Sequence, residues 1–217
     1  MNHDLHIKAK DLSFRIGNRI VLDALTFELH AGVNWIRGQN GTGKTTLLKL
    51  LAGALQPSRG DMLLGYESMA GLPSIERQKI FFSGDDLPDL PWLSAGELIE
   101  VYGSIYRNID NALLGVHLRE FRLEAVLDTP IAALSLGERH KLQLSVALAV
   151  NASLLLLDEP LNALDAEAVA LVRNELTRRH TLKEQVIVLT SHSDPCISAK
   201  VFDLSGGTNS RLLAFHP

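Results

Sequence analysis

Nine consecutive residues constrain this chain more than any others: Gly38-Gln39-Asn40-Gly41-Thr42-Gly43-Lys44-Thr45-Thr46 fits the phosphate-loop pattern G-x-x-x-x-G-K-[ST] at every fixed position. Its glycines let the backbone turn tightly and leave it bare, so that successive N–H groups point at the oxygens of a di- or triphosphate. Lys44 adds a mobile positive charge for the β and γ phosphates, and Thr45 offers a hydroxyl where Mg2+ would sit. The run Thr45 to Leu51 reads as a helix whose positive end faces the anion. Just upstream, Val33-Asn34-Trp35-Ile36-Arg37 reads as a buried strand. The motif works only between a strand and a helix, and both flanks are present. A glycine turn that merely carries a lysine would need neither.

A second stretch complements the loop. Leu154-Leu155-Leu156-Leu157-Asp158-Glu159-Pro160 is an apolar strand ending in two acids, where an α/β sheet presents ligand-binding groups. Beside a phosphate loop, Asp158 suits the Mg2+ that bridges the phosphates, and Glu159 suits the general base that polarises the attacking water. The plainer alternative is a helix-capping pair before a proline. Ser135-Leu136-Gly137-Glu138 is a capping box opening an amphipathic helix; with a free serine hydroxyl and a bare Gly137 N–H, such a helix end is also an anion site.

The rest of the chain alternates strands and helices, which implies an α/β core. Leu5 to Phe14 and Leu25 to Leu29 read as strands of an antiparallel layer with a turn at Gly17-Asn18. Ile80-Phe81-Phe82 is a short strand, and Ser83 to Trp92, rich in acids and prolines, reads as a loop or subdomain boundary. Ser94-Ala95-Gly96-Glu97 opens a helical segment, Leu113 to Leu127 continues it, and Ser135 to Val150 is a long helix. Asp165 caps a helix from Ala166 to about His180, and Gln185 to Thr190 is a strand of the parallel type. The expected organisation is one domain over 1–217, with a nucleotide core of about 1–83 and 151–217 and a helical subdomain of about 84–150. Leu142 to Leu157 carries no charge, yet it falls short of the roughly 20 apolar residues of a spanning helix and reads as a buried helix followed by a buried strand. A net charge of -4 gives no basic footprint, so nucleic acid is not an expected partner. Cys196 is the only cysteine, which excludes an intramolecular disulfide and fits a reducing compartment. No basic-then-apolar signal pattern opens the N-terminus, and His3 and His6 without a third partner read as an ordinary terminus.

Taken whole, the chain resembles the ATP-binding cassette (ABC) ATPases. Leu134-Ser135-Leu136-Gly137-Glu138 matches that family's L-S-G-G-Q signature at the leucine, the serine and the second glycine. Asp158-Glu159-Pro160 resembles its second nucleotide motif, Leu161-Asn162-Ala163-Leu164-Asp165 its D-loop, and Ser191-His192 its switch histidine. The resemblance implies a P-loop fold with an antiparallel β layer and an inserted helical subdomain. It implies ATP and Mg2+ as cofactors, bound through Gly38, Asn40, Gly41, Gly43, Lys44, Thr45 and Thr46, with Thr45 and Asp158 on the metal and Glu159 and His192 catalytic. Ser135 and Gly137 would contact the γ-phosphate held by an opposite subunit. A homodimer or paired ATPase subunit, a separate membrane permease, and a cytoplasmic place on the inner face of the cell membrane follow from the same resemblance.

The departures are Leu136 at the first signature glycine, Glu138 at the glutamine, and, after the Ile80 to Phe82 strand where a glutamine is usual, one of Gly84, Asp85 or Asp86, with Asp85 favoured as the replacement. The base-stacking aromatic usual near Gly17 would fall to Phe14, though alternation along a strand more often makes such a phenylalanine core. Competing readings are a soluble ABC ATPase acting outside transport and a weakly hydrolysing nucleotide sensor.

Overall fold

Leu154 to Leu157 and Val186 to Leu189 contain no polar residue, and a strand apolar on both sides must be covered on both. The computed structural model, which describes residues 5–84, 90–204 and 212–213, does so with two layers of packing around one sheet. In chain order the elements are β1 (His6–Ile16), β2 (Arg19–His30), β3 (Gly32–Arg37), α1 (Lys44–Leu51), β4 (Arg59–Leu64), β5 (Glu67–Ser68), α2 (Ser74–Arg77) and β6 (Ile80–Ser83). There follow α3 (Ala95–Ile105), α4 (Asn111–Glu120), α5 (Leu136–Ala149), β7 (Leu154–Leu157), α6 (Ala166–Leu182), β8 (Val186–Ser191), β9 (Lys200–Asp203) and β10 (Leu212–Leu213).

One sheet has the order β10-β9-β3-β8-β7-β6, parallel from β9 to β6, with β10 antiparallel at the edge. The other, β2-β1-β4-β5, is antiparallel throughout. Strand alternation divides the core. Leu155, Leu157, Ile187, Leu189, Val33 and Trp35 face α3 to α6, while Leu154, Leu156, Val186, Val188 and Ile36 face α1 and the antiparallel layer. In α1, Leu47, Leu48, Leu50 and Leu51 are all fully buried, each contributing about 1.5–3 kcal/mol, so the helix that carries Lys44 is held by packing.

Ser94, Ser135 and Asp165 each cap the helix expected of them, and Ser94 and Glu97 exchange both bonds of a capping box, at 3.1 and 2.7 Å. Other expectations need correction. The helix read over Leu113 to Leu127 ends at Glu120: Phe121 and Leu123, 3% and 1% exposed, turn into the core through Arg122 at a φ of 59°, and a separate 3-10 turn covers Glu124–Val126. His6 is no ordinary terminal residue, being 5% exposed in β1 with its ring edge-on to Tyr66 at 5.9 Å. His3 and Asp85 lie outside the described residues.

Candidate functional site

Because β3, β8 and β7 are neighbouring parallel strands, their ends fall side by side, with Arg37 opposite Ser191 and Leu157 opposite Leu189. The phosphate loop leaves β3, Asp158 and Glu159 leave β7, and His192 leaves β8. Three motifs distant in sequence thus open onto one end of the sheet.

In the loop, Gly43 caps α1 at a φ of 96°, a conformation that residues with side chains rarely adopt, and a Cβ there would also press on the Leu22 side chain of β2. The helix starts at Lys44, one residue before the start read from sequence. Its first turn carries no acid, and the first N–H groups of any helix lack intrahelical acceptors, so its positive end is available to an anion. Lys44 is 6% exposed; its Nζ donates to the carbonyls of Gly38 (2.8 Å) and Gln39 (3.3 Å) and pairs with Glu159 Oε1 at 3.2 Å. Thr45 is exposed in the first helical turn, with Thr46 half-buried behind it; Asn40 and Gly41 are exposed at the loop's tip.

The acids are held more tightly. Asp158 is 5% exposed, its N–H donates to Ser83 O at 2.8 Å, and its Oδ1 accepts the Thr190 hydroxyl at 2.6 Å. The same hydroxyl accepts the Glu159 N–H at 2.9 Å. Glu159 has a φ of 47°, uncommon for a residue with a side chain. Its carboxylate lies between Lys44 Nζ and His192 Nδ1, the latter 3.3 Å from Oε2. Lys44, Glu159 and His192 therefore form one chain of contacts from the loop to the end of β8. Thr190 is what sequence reasoning missed. Its signal was a hydroxyl at the end of an apolar strand, since a buried hydroxyl seeks partners.

Ser135 and Gly137 do not join this cluster; among the described residues no hydrogen bond or ion pair links them to Lys44, Asp158 or Glu159. The Ser135 hydroxyl, expected to be free, accepts the Glu138 N–H at 3.2 Å and donates to Glu138 Oε2 at 2.6 Å, while the Ser135 N–H donates to that oxygen at 2.8 Å. The hydroxyl and amide of Ser135 hold the Glu138 carboxyl below its usual range. Segment 160–165 docks on the same helix: His140 Nε2 lies 3.1 Å from Pro160 O, and Lys141 Nζ pairs with Asp165 at 2.5 Å.

Phe14 is half-buried and packs against the core beneath the antiparallel layer, which favours the core reading, while Ile16 is 63% exposed. Beside the loop opens a cavity of about 260 Å³ lined by Ile20, Val21, Leu22, Gly41, Thr42 and Leu204 among others. The Asp158 carboxylate and Thr45 hydroxyl are the donors Mg2+ accepts, one or two protein oxygens completed by substrate phosphates.

Residues 22–162 match the family model described as ABC transporter. The cytochrome c biogenesis ATP-binding export protein CcmA of Vibrio cholerae is 30% identical over 190 residues, 87% of this chain and 91% of its own length. The protein of the same name from Pseudomonas putida is 31% identical over 189 residues, 87% of this chain and 90% of its own. A solved ATP binding subunit of an ABC transporter has a TM-score of 0.77 at 26% identity, covering 93% of this chain and 86% of that one. A Pyrococcus furiosus ABC transporter ATP-binding protein shares the fold, with a TM-score of 0.76 at 23% identity over 92% of this chain and 97% of its own. A family match over most of the chain, relatives similar along nearly their whole length and a common fold lead to one assignment: this chain belongs to the ABC transporter family and is one of its compact ATP-hydrolysing subunits.

Proposed function

We propose that two copies of this chain, or this chain and a paired ATPase subunit, close head to tail on two Mg-ATP molecules, hydrolyse them, and drive export through a separate membrane permease. In this reading Gly38, Asn40, Gly41, Gly43 and Thr46 surround the phosphates with backbone and hydroxyl donors, and Thr45 and Asp158 hold Mg2+. Bound there, Mg2+ would neutralise charge on the β and γ oxygens. ATP offers Lys44 phosphate oxygens in place of the Glu159 carboxylate, and Glu159, so released, accepts a proton from the attacking water while His192 contacts the γ-phosphate. Ser135 and Gly137 meet the γ-phosphate of the opposite copy, which requires the Ser135 hydroxyl to leave Glu138. The observation that carries the reading is the placement of Glu159 between Lys44 and His192 at the mouth of the phosphate loop.

The test is Glu159→Gln, followed by phosphate release and by size-exclusion chromatography with light scattering in Mg-ATP. The variant is expected to bind ATP, to turn it over at least 100-fold more slowly, in keeping with a general-base contribution of about 10²–10⁴, and to accumulate as a closed dimer. Hydrolysis at the wild-type rate would sink the reading.

We place the nucleotide core at about 1–83 and 151–217 and the helical subdomain at about 84–150; the position of α3, α4 and α5 between β6 and β7 supports that division. Trp92 and Ile105, 70% and 47% exposed, support a permease contact on this segment, since a tryptophan so exposed is not the subdomain's own anchor. We place that contact on Asp85 to Tyr106, of which residues 85–89 lie outside the described residues. No helix among the described residues is long and apolar enough to cross a membrane. The site we propose is cytoplasmic, on the inner face of the membrane. The CcmA relatives are named export proteins, which supports the direction of transport. Crosslinking from a cysteine at Trp92, in a Cys196→Ser background, to a co-expressed permease checks the contact; crosslinks only elsewhere would move it.

A further inference from the structure

Thr190 belongs to none of the nucleotide motifs, yet it touches both acids. It is fully buried at the end of β8, one strand from β7, in the parallel register that sets Leu157 opposite Leu189. Its Oγ1 accepts the Glu159 N–H at 2.9 Å and donates to Asp158 Oδ1 at 2.6 Å. A hydroxyl has one proton, so the bond accepted from Glu159 leaves that proton for Asp158 alone. The direction of the pair is therefore set: an amide donates in and a carboxylate receives. The backbone of Glu159 stands at a φ of 47°, and its carbonyl accepts the Asn162 N–H at 3.0 Å, so the two sides of this left-handed residue are tied to different elements.

We infer that Thr190 is a positioning residue for the ATPase reaction: it orients the Asp158 carboxylate and holds Glu159 in the backbone conformation that aims its carboxylate between Lys44 and His192. This rests on the roles proposed above for Asp158 and Glu159. Neither acid has another bond to a side chain of β8, so removing the hydroxyl loosens both together. Replacing it with a methyl group keeps the packing volume.

The experiment uses the full chain with Thr190→Val and Thr190→Ser, each alone and with Glu159→Gln. Mn2+ serves as the spectroscopic stand-in for Mg2+, its binding with ATP followed by electron paramagnetic resonance, and turnover is followed by phosphate release. Thr190→Val is expected to raise the half-saturating Mn2+ concentration and lower turnover, each by about 10–100-fold, with metal-free ATP affinity unchanged. Thr190→Ser is expected to restore both. A purely structural role would lower thermal stability without moving the Mn2+ dependence, and that result overturns the inference, as does wild-type behaviour of Thr190→Val. Should Thr190→Val not fold, Thr190→Cys against Thr190→Ser carries the comparison, because the thiol is a poor donor of similar size; equal Mn2+ dependence in those two also overturns it. Failure of the underlying function looks different: Glu159→Gln then hydrolyses ATP at the wild-type rate, whereas an inactive Glu159→Gln with an unmoved Mn2+ dependence in Thr190→Val removes this inference alone.

Discussion

Replacing Lys44 with methionine should cost both affinity and stability, and the second loss should vanish when Glu159 is replaced as well. The ammonium and carboxylate are 3.2 Å apart, with side chains only 7% and 14% exposed. At that distance and an effective dielectric of about 20 the attraction is about 5 kcal/mol before desolvation is subtracted. Losing one partner of a buried pair costs about 3–5 kcal/mol. Glu159 retains His192 at 3.3 Å, so the cost falls just below that range, and we expect about 2–3 kcal/mol for Lys44→Met. For a chain of this size that is a fall in Tm of about 4–12 °C. In Lys44→Met with Glu159→Gln no charge is stranded, and the coupling between the two changes should be about 1–3 kcal/mol. Calorimetry of the four proteins in EDTA without nucleotide measures the cycle. Separately, loss of a charged donor worth about 1.5–3 kcal/mol should weaken ATP binding by about 10–150-fold, read by titration calorimetry. Additive Tm changes, with coupling below about 0.5 kcal/mol, would refute the argument that these two groups neutralise each other.

Three further outcomes are expected. Glu138→Gln removes the carboxylate held over the α5 N-terminus, so in a Glu159→Gln background the ATP concentration needed for dimerisation should fall by about fivefold or more, at a stability cost of about 0.3–1 kcal/mol; light scattering against ATP checks it. His180 accepts the Val33 N–H on Nδ1 at 2.9 Å, and burial, with Lys183 and Lys200 adding to it, lowers its pKa below the ordinary 6.5. The unfolded chain therefore takes up that proton first, so this stability is present above about pH 6.5 and lost as pH falls below it; urea midpoints at pH 7.5 and 5.5 should show the loss, reduced in His180→Asn. Arg179, 7% exposed, donates to Glu175, Gln185 and the Leu148 carbonyl, so Arg179→Ala should cost about 3–5 kcal/mol, seen as a fall in Tm by calorimetry.

What was legible in the sequence is what short stretches dictate. The order of strand, glycine loop and helix follows from local residues, and so do the caps at Ser94, Ser135 and Asp165, whose partners lie three residues away. The pairing of Glu159 with Lys44 needs only that the parallel strands β3 and β7 end on the same side of the sheet. Thr190 was not legible, because its bonds reach 31 and 32 residues along the chain and depend on strand register. Nor was the exposure of Trp92: the type of a residue favours burial, and only tertiary packing reveals that nothing covers it. The early end of α4 had the same origin, since helical spacing continues past Glu120 but two core side chains turn the backbone inward.

The signature departures separate once packing is known. Leu136 replaces a glycine in the family pattern, yet it is 64% exposed at the start of α5, so a side chain there meets solvent and strains nothing. One residue on, a Cβ at Gly137 would come within 3.2 Å of the Ala163 carbonyl oxygen, tighter than backbone readily allows. Ala163 itself has a φ of 56° and lies in the segment fastened to α5 through Pro160 and Asp165. That segment follows directly on Glu159, so a larger residue at 137 would press on the loop next to the proposed base, whereas one at 136 would not. The shape of this chain thus favours glycine at one of the two positions, and the position that has lost it is the one where its absence costs no packing.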